Sequence, residues 1–518
     1  MQLIDLFDRG VGYGREAACL VEPGGRTLSY GEVQALSYRI ANGLHAAGVG
    51  RESKVGLLSA NHLLTFAAIL GIVRSNGIWL PVNARNAPEE NVNILARGGC
   101  EFLLLHSQFA AQLPLLREAI PGLKGIVCID RELPGVPSLE DWAAQQADTP
   151  VRSDASADDV VAIRGTGGTT GLPKGVLITH RNYTMLFANW YAAMPVAERP
   201  VHLVVAPLSH AAGAVAFATC GWGGTNVILP SADPAQIIDA IGRYRVTQIF
   251  LPPTAIYKLL AYPDVRKGDY SSLRYFVYSA APMSVNKLRE ALDVFGPVMV
   301  QAYGQAEAPF ICTAMSTQDH ARILRDPALA HRLSSCGRAS PFVRIGVMDP
   351  QGRLLPPGER GEIVVQGDLV MKGYYQDPGK TAEALKYGWL HTGDVGYQDA
   401  DGYFYIVDRM KDLIVSGGFN ISPSEVEQVL WSLPAVNDCA VVGVPDAHWG
   451  EAVKAVVELK AGAAWDNESA LAFCRERLGG MKAPKTIEVW EQLPRSAVGK
   501  VLKREIRDRY WAGHARRV

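Results

Sequence analysis

Gly165-Thr166-Gly167-Gly168-Thr169-Thr170-Gly171-Leu172-Pro173-Lys174-Gly175 follows directly on an apolar run at residues 160–163. Glycines let backbone N–H groups close around anionic oxygens, threonine hydroxyls add donors, and Lys174 adds charge, so the composition suits a phosphate cradle. The same Gly/Thr composition also suits a plain surface loop; the strand before it and the Pro-Lys at its end favour phosphate. It is not a Walker loop, because Lys174 is followed by Gly175 where that pattern needs Ser or Thr. A second Gly379-Lys380-Thr381 is a chance match, since Tyr374 stands where the Walker spacing needs its first glycine.

Working outward from the loop, the chain alternates short apolar runs with amphipathic stretches. Ser29 and Glu32 form a capping box before Val33, Leu36, Ile40 and Leu44 at helical spacing. An apolar run at 55–58, a helix over 63–74 and a second run at 78–82 complete one β-α-β unit. The rhythm recurs at 237–251 and at 275–301. Near-continuous apolar strands separated by helices predict parallel sheets covered on both faces. After Gly352 turn residues multiply (DPQGR, LPPGERGE, DADGYF), predicting hairpins. Beyond Asp412 strands at 440–444, 455–459 and 486–490 with a helix over 471–478 predict a small α+β domain.

The 518 residues, 48% hydrophobic, exclude a disordered chain. With 51 Lys+Arg against 52 Asp+Glu the net charge is -1, which argues against non-specific nucleic-acid binding. Eight cysteines occur singly with no CxxC, so buried thiols in a reducing compartment are expected rather than a disulfide framework or zinc site. No signal peptide and no membrane-spanning run is visible, and a cytoplasmic location is the default expectation.

Further motifs follow the loop in order: Tyr303-Gly304-Gln305-Ala306-Glu307, Trp389-Leu390-His391-Thr392-Gly393-Asp394, Asp408-Arg409-Met410-Lys411-Asp412 with Ser416-Gly417-Gly418, and Pro494-Arg495-Ser496-Ala497-Val498-Gly499-Lys500. Together with TGGTTGLPKGV they resemble the signature set of the adenylate-forming superfamily, which includes acyl-CoA synthetases, luciferases and peptide-synthetase adenylation domains. The resemblance covers nearly the whole chain. It implies an α/β fold: a large N-terminal body of mixed and parallel sheets flanked by helices, with a β-barrel-like portion, followed by a small mobile C-terminal α+β domain. The boundaries it implies are 1–408 for the ATP- and acid-binding body, 409–411 for a hinge at Lys411, and 412–518 for a lid carrying the catalytic lysine.

The reaction implied is attack of a carboxylate on the α-phosphate of ATP, giving acyl-AMP and pyrophosphate, then capture of the acyl group by a thiol. By resemblance, Thr166, Gly167, Gly168, Thr169, Thr170, Gly171 and Lys174 hold phosphate, and Thr166 and Glu307 are ligands of Mg2+. Tyr303 and the backbone of Ala280, Ala281 and Pro282 sandwich the adenine, with Gly304 beside them. Asp394 takes the ribose hydroxyls and Arg409 approaches ribose and phosphate. Lys500 bridges carboxylate and α-phosphate, with Glu307 and Thr166 completing the catalytic set. Gly417 and Gly418 line a passage for the pantetheine arm of coenzyme A.

His210, Ala211, Gly213 and Gly304 border the acyl pocket in this reading. The small residues after His210 leave room for a bulky acid or reflect tight helix packing. A medium-chain, aromatic or alicyclic acid is the expectation. CoA is the expected acceptor, since no carrier domain follows Lys500; the alternative is loading of a carrier-protein thiol or release of acyl-AMP. Monomer and homodimer are equally compatible. Ala306 and Gly167 stand where the family usually has Thr and Ser.

Overall fold

The computed structural model describes residues 1–151, 153–165, 174–416, 419–446, 448–496 and 499–512. Two large sheets form the N-terminal body. One has seven strands in the order Gly373–Tyr374, Gly175–Thr179, Val160–Gly165, Ile78–Asn83, Lys54–Ser59, Cys100–Leu105 and Gly125–Cys128. Its last five are parallel, while Gly175–Thr179 turns back antiparallel to Val160–Gly165. The other has nine, with Val201–Val204, Thr225–Ile228, Gln248–Leu251, Tyr275–Tyr278 and Met299–Gln305 running parallel at its centre. Antiparallel strands close its edges, Ala308–Met315 and then Arg338–Ala339 on one side and Thr27–Ser29 on the other.

Period-2 alternation assigns each strand residue to one of two cores. Val204, Phe250 and Val277 face a core shared with the seven-stranded sheet through Trp79, Ala162 and Ile178. Their neighbours Leu203, Ile249, Leu251 and Phe276 face the opposite side. The shared core is filled by helices that the sequence pattern had located. Helix Tyr30–Ala46 starts on the Ser29–Glu32 capping box, with the Ser29 N–H donating to Glu32 Oε2 at 2.7 Å. Helix Leu63–Arg74 is buried along its whole length, its terminal Arg74 neutralised by Asp8 at 2.6 Å. All eight cysteines are free and buried.

A four-stranded antiparallel sheet, Arg344–Met348, Gly361–Gln366, Leu390–Gln398 and Phe404–Arg409, joins the body to the C-terminal domain. The hairpin region therefore begins at Arg344, before the turn-rich segment after Gly352 that announced it. The α+β domain pairs Ile414–Ser416, Phe419–Ile421, Val436–Asp446, Gly450–Leu459 and Thr486–Trp490 around helices Pro423–Trp431, Asn467–Lys482 and Lys503–Trp511. The first of these helices borrows its cap: the Ser424 N–H donates to Asp408 Oδ2 at 3.0 Å, from the strand before residues 409–411. Among the described residues no helix is long and apolar enough to cross a membrane.

Candidate functional site

Asp394 and Arg409 are cross-strand partners, so sheet register alone puts carboxylate beside guanidinium. Arg409 Nε lies 2.5 Å from Asp394 Oδ1, and the Tyr303 hydroxyl donates to Asp394 Oδ2 at 2.6 Å. Asp394 is only 4% exposed, so its charge is stabilised by these partners rather than by bulk water. Burial, and then the Asp394 charge, pushes the Tyr303 phenol well above its ordinary range, keeping it a neutral donor. The approach to Asp394 is rigid. Gly393 adopts φ +70°, its N–H donates to Glu362 Oε1 at 2.8 Å, and His391 Nδ1 lies 2.7 Å from Glu362 Oε2.

Glu307 follows the strand that carries Tyr303, and it is buried. The Tyr374 hydroxyl donates to its Oε1 at 2.8 Å, and Lys174 Nζ sits 4.6 Å from the centre of the Tyr374 ring. Tyr374 thus ties Lys174, at the end of the Gly/Thr-rich loop, to Glu307. It lies on the two-residue strand that hydrogen-bonds to Gly175–Thr179, a pairing with no signature in local sequence. Gly379-Lys380-Thr381 is the start of helix Pro378–Ala384, capped by Asp377, and Thr381 Oγ1 accepts from the Tyr374 N–H at 2.9 Å.

Ala280, at the carboxyl end of strand Tyr275–Tyr278, has φ +75°, and with Pro282 it is solvent-exposed. Non-glycine residues in this region are strained and concentrate at ligand-binding turns. His210 precedes helix Ala211–Cys220, its Nδ1 2.9 Å from Ser209 Oγ. Burial, reinforced by Arg164 and Arg85, lowers its pKa to about 3, so the imidazole is neutral near pH 7. On that helix Ala211 is partly open, whereas Ala212 through Cys220 are buried, so tight helix packing accounts for most of the small residues. Gly213 is one: a Cβ there would sit 2.1 Å from the Leu208 carbonyl oxygen.

Lys500 is delivered by a turn in which the Ser496 N–H donates to the Lys500 carbonyl and the Gly499 N–H to the Ser496 carbonyl, both at 2.8 Å. Arg495 anchors the turn's entry on two carboxylates, Asp438 Oδ2 at 2.8 Å and Glu458 Oε2 at 3.3 Å. Gly499 has φ +84°, and a Cβ added to it would lie 2.7 Å from Thr254 Oγ1 on helix Pro253–Leu260 of the body. Lys500 as a whole residue is exposed. Protein crowded about its ammonium, then the Arg409 guanidinium, lowers its pKa to about 8, with Asp394 opposing the shift. Lys411, in the short helical turn Met410–Asp412, is lowered mainly by burial and then by Arg409.

The structure therefore brings Tyr303 and Arg409 onto the Asp394 carboxylate, with the charges of Arg409 and Asp394 felt by Lys500, and links Glu307 and Lys174 through Tyr374. Thr166, Gly167, Gly168, Thr169, Thr170, Gly171, Gly417 and Gly418 lie outside the described residues. Sequence reading missed the roles of Tyr374, Glu362 and Arg495: the first two act on motif residues from distant segments, and Arg495, inside the last motif, is held by distant carboxylates. Among the described residues no three His, Cys, Asp or Glu side chains group as a metal cage.

The AMP-binding enzyme family model matches residues 7–375, and the AMP-binding enzyme C-terminal domain model matches residues 425–500. A feruloyl-CoA synthase from an Amycolatopsis species is 38% identical over 495 residues, 95% of this chain and 96% of that protein. The medium/long-chain-fatty-acid–CoA ligase FadD8 of Mycobacterium tuberculosis is 36% identical over 510 residues, 96% of this chain and 88% of its own. Among solved structures, the anthranilate CoA ligase AuaEII in complex with anthranoyl-AMP is 25% identical with a TM-score of 0.91, covering 98% of this chain and 97% of that one.

Proposed function

The chain belongs to the AMP-binding enzyme family, as an AMP-forming acid–thiol ligase, and from that premise we propose that it joins an aromatic, alicyclic or medium-chain carboxylic acid to coenzyme A. The observation that carries this reading is the convergence of Tyr303 and Arg409 on Asp394, with the charges of Arg409 and Asp394 acting on Lys500. Three relatives with aryl or fatty-acyl CoA chemistry in their names support the acid class and the acceptor.

In the first step the acid's carboxylate oxygen bonds to the α-phosphorus of ATP while the bond from that phosphorus to the bridging oxygen breaks, releasing pyrophosphate. Anion meets anion, so the protein's work is positioning and charge compensation. The Lys500 ammonium lies between the two oxygens that gain and share charge, and Arg409 steadies the ribose and α-phosphate side. Asp394 accepts from the ribose hydroxyls, exchanging them against its present partners Tyr303 and Arg409. The Tyr303 ring and the strained Ala280-Ala281-Pro282 backbone hold the adenine. Neutral His210 orients the acid and carries no charge that would compete for its carboxylate.

Glu307 suits Mg2+: it is a hard oxygen donor with one oxygen engaged by Tyr374, and among the described residues it belongs to no cluster of three or more His, Cys, Asp or Glu. Such an ion would be held by Glu307 and, in this reading, by Thr166, which lies outside the described residues. When bound it offsets phosphate charge. In the second step the thiol sulfur of CoA bonds to the acyl carbon, the bond to AMP breaks and the thiol proton passes to solvent. Residues 409–411 are the pivot between the steps, with Lys411 as the hinge residue, and the roles assigned to Gly417 and Gly418 in the thiol's path fall outside the described residues.

The test is pyrophosphate release over a panel of short, medium, long, aryl and alicyclic acids, with AMP turnover followed with and without CoA. Release with an aryl, alicyclic or medium-chain acid and multiple AMP turnovers only when CoA is present are expected. No release with any acid refutes the adenylation reading; turnover indifferent to CoA refutes the acceptor.

A further inference from the structure

We propose that Asp408 is a positioning residue for the adenylation step: its carboxylate caps a helix of the C-terminal domain from across the pivot, latching that domain in the arrangement that presents Lys500 and letting go before thiol transfer. The inference rests on the reading that residues 409–411 are the pivot.

Strand Phe404–Arg409 ends at the pivot, and successive residues of a strand point to opposite faces. Arg409 meets Asp394 on one face, while Asp408, 8% exposed, faces the C-terminal domain on the other. Helix Pro423–Trp431 lacks what Asp408 offers there. The first N–H groups of a helix have no partner within it, and Ser422, at the cap position, makes no capping bond with its side chain. Asp408 Oδ2 instead accepts from the Ser424 N–H at 3.0 Å, and the helix dipole favours a negative charge at that end. The other carboxylate oxygen accepts from the Arg409 N–H at 2.8 Å, which holds the side chain to its own strand. Ser422 and Ser424 turn their hydroxyls to the same strand, both donating to the Val407 carbonyl, the former at 2.8 Å.

The bonds to Ser422 and Ser424 join residues before the pivot to residues after it. A turn of the domain about 409–411 carries Ser422 and Ser424 away while Val407 and Asp408 stay with the sheet, so the cap exists in one arrangement and is broken in the other. Arg507 and Asp412, 3.4 Å apart, both lie at or beyond the pivot's far end and travel together. So do Glu427, one turn along the capped helix, and Lys503, paired with it at 2.8 Å at the start of helix Lys503–Trp511. The latch therefore reaches Lys500 through parts that move as one body: Asp408 holds helix Pro423–Trp431, Glu427 of that helix holds Lys503, and Lys503 follows directly on the turn that carries Lys500.

The test compares the two half-reactions in single turnovers, pyrophosphate release from ATP and acid against thioester formation from supplied acyl-AMP and CoA. The ratio of their rates follows the ratio of the two arrangements. Asp408→Ala is expected to lower that ratio about tenfold, and Asp408→Asn, which keeps the shape and an acceptor without the charge, about threefold. In Asp408→Ala/Ser422→Asp the helix is capped from its own side; the thermal transition is expected to recover while the ratio stays low, because the new cap does not cross the pivot. Trypsin cleavage after Arg409 and Lys411, followed by mass spectrometry, needs no substrate and is expected to run about tenfold faster in Asp408→Ala. A ratio unchanged or raised in Asp408→Ala, a tryptic rate equal to that of the wild type, or a ratio that returns with the thermal transition in the double variant overturns the proposal, since a cap that only stabilises the domain weakens both half-reactions alike. Should Asp408→Ala fail to fold, the same ratio in Asp408→Asn decides. A wild-type protein silent with every acid removes the proposed function itself, and the latch then stands or falls on the tryptic rate.

Discussion

Replacing Gly499 with alanine perturbs the turn that presents Lys500 in two separable ways. An L-residue held at φ +84° costs about 1–2 kcal/mol relative to glycine. The new Cβ would also stand 2.7 Å from Thr254 Oγ1, closer than atoms pack, so the turn or the threonine must shift at about 1 kcal/mol or more. Together these withdraw about 2–3 kcal/mol from the docked turn, and adenylation, which needs Lys500 in place, should slow by about 30- to 150-fold. Adding Thr254→Ala leaves only a Cβ at 3.7 Å, an ordinary contact. The double variant should regain the steric part, about fivefold, and keep the backbone part. The assay is single-turnover pyrophosphate release at saturating ATP and acid. Transfer from supplied acyl-AMP to CoA serves as the control and should be unchanged, because Lys500 takes no part in it. A Gly499→Ala enzyme with the wild-type adenylation rate, or a double variant no faster than the single one, refutes the docking contact.

Other perturbations follow from the same geometry. Lys500 acts as an ammonium with its pKa lowered to about 8, so adenylation should be at its plateau below that pH and fall as pH rises through it, whereas Lys500→Arg, which stays charged, should abolish the descending limb whatever its absolute rate. Tyr374→Phe removes the donor to buried Glu307; losing a hydrogen bond to a charged group costs about 1.5–3 kcal/mol, and the Mg2+ concentration for half-maximal pyrophosphate release should rise at least about tenfold. Lys503→Met strands Glu427, which is 5% exposed in its side chain and pairs with Lys503 at 2.8 Å. Breaking such a pair costs about 3–5 kcal/mol, so the thermal transition of the C-terminal domain should drop sharply, and Glu427→Leu in the same chain should restore most of it.

How much was legible beforehand differs by the kind of interaction. Helices Tyr30–Ala46 and Leu63–Arg74 and strands such as Gln248–Leu251 follow from local periodicity and caps, and the sequence places them within a residue or two. The central strand after Phe295 was harder: its apolar run ends at Gln301, but pairing with Ala308–Met315 carries it through Tyr303 to Gln305. Contact with a distant partner extended it, not propensity. The same holds at the site. Asp394, Arg409 and Lys500 stand out because motifs mark them. Tyr374, Glu362 and Arg495 act through partners far along the chain, and the hydrogen bonds that give them a role exist only once the sheets are assembled. The tract after His210 shows the limit of composition: its small residues fit a roomy pocket and a tightly packed helix alike, and only burial separates the two.

The eight lone cysteines carry a practical consequence. They are distributed over both halves of the body and the C-terminal domain, all free and all buried. Loss of hydration pushes the thiols of Cys19 and Cys439 well above their ordinary range and that of Cys474 up to about 11. A thiol that is neither exposed nor ionised resists alkylating reagents and oxidants. The folded chain is therefore chemically quiet, and each thiol that does react timestamps the opening of its own neighbourhood. Cys439 and Cys474 report on the segment that bears Lys500 separately from Cys19, Cys100, Cys128 and Cys220 in the body, so the independence of the two units can be read from ordinary alkylation rates without adding a single probe.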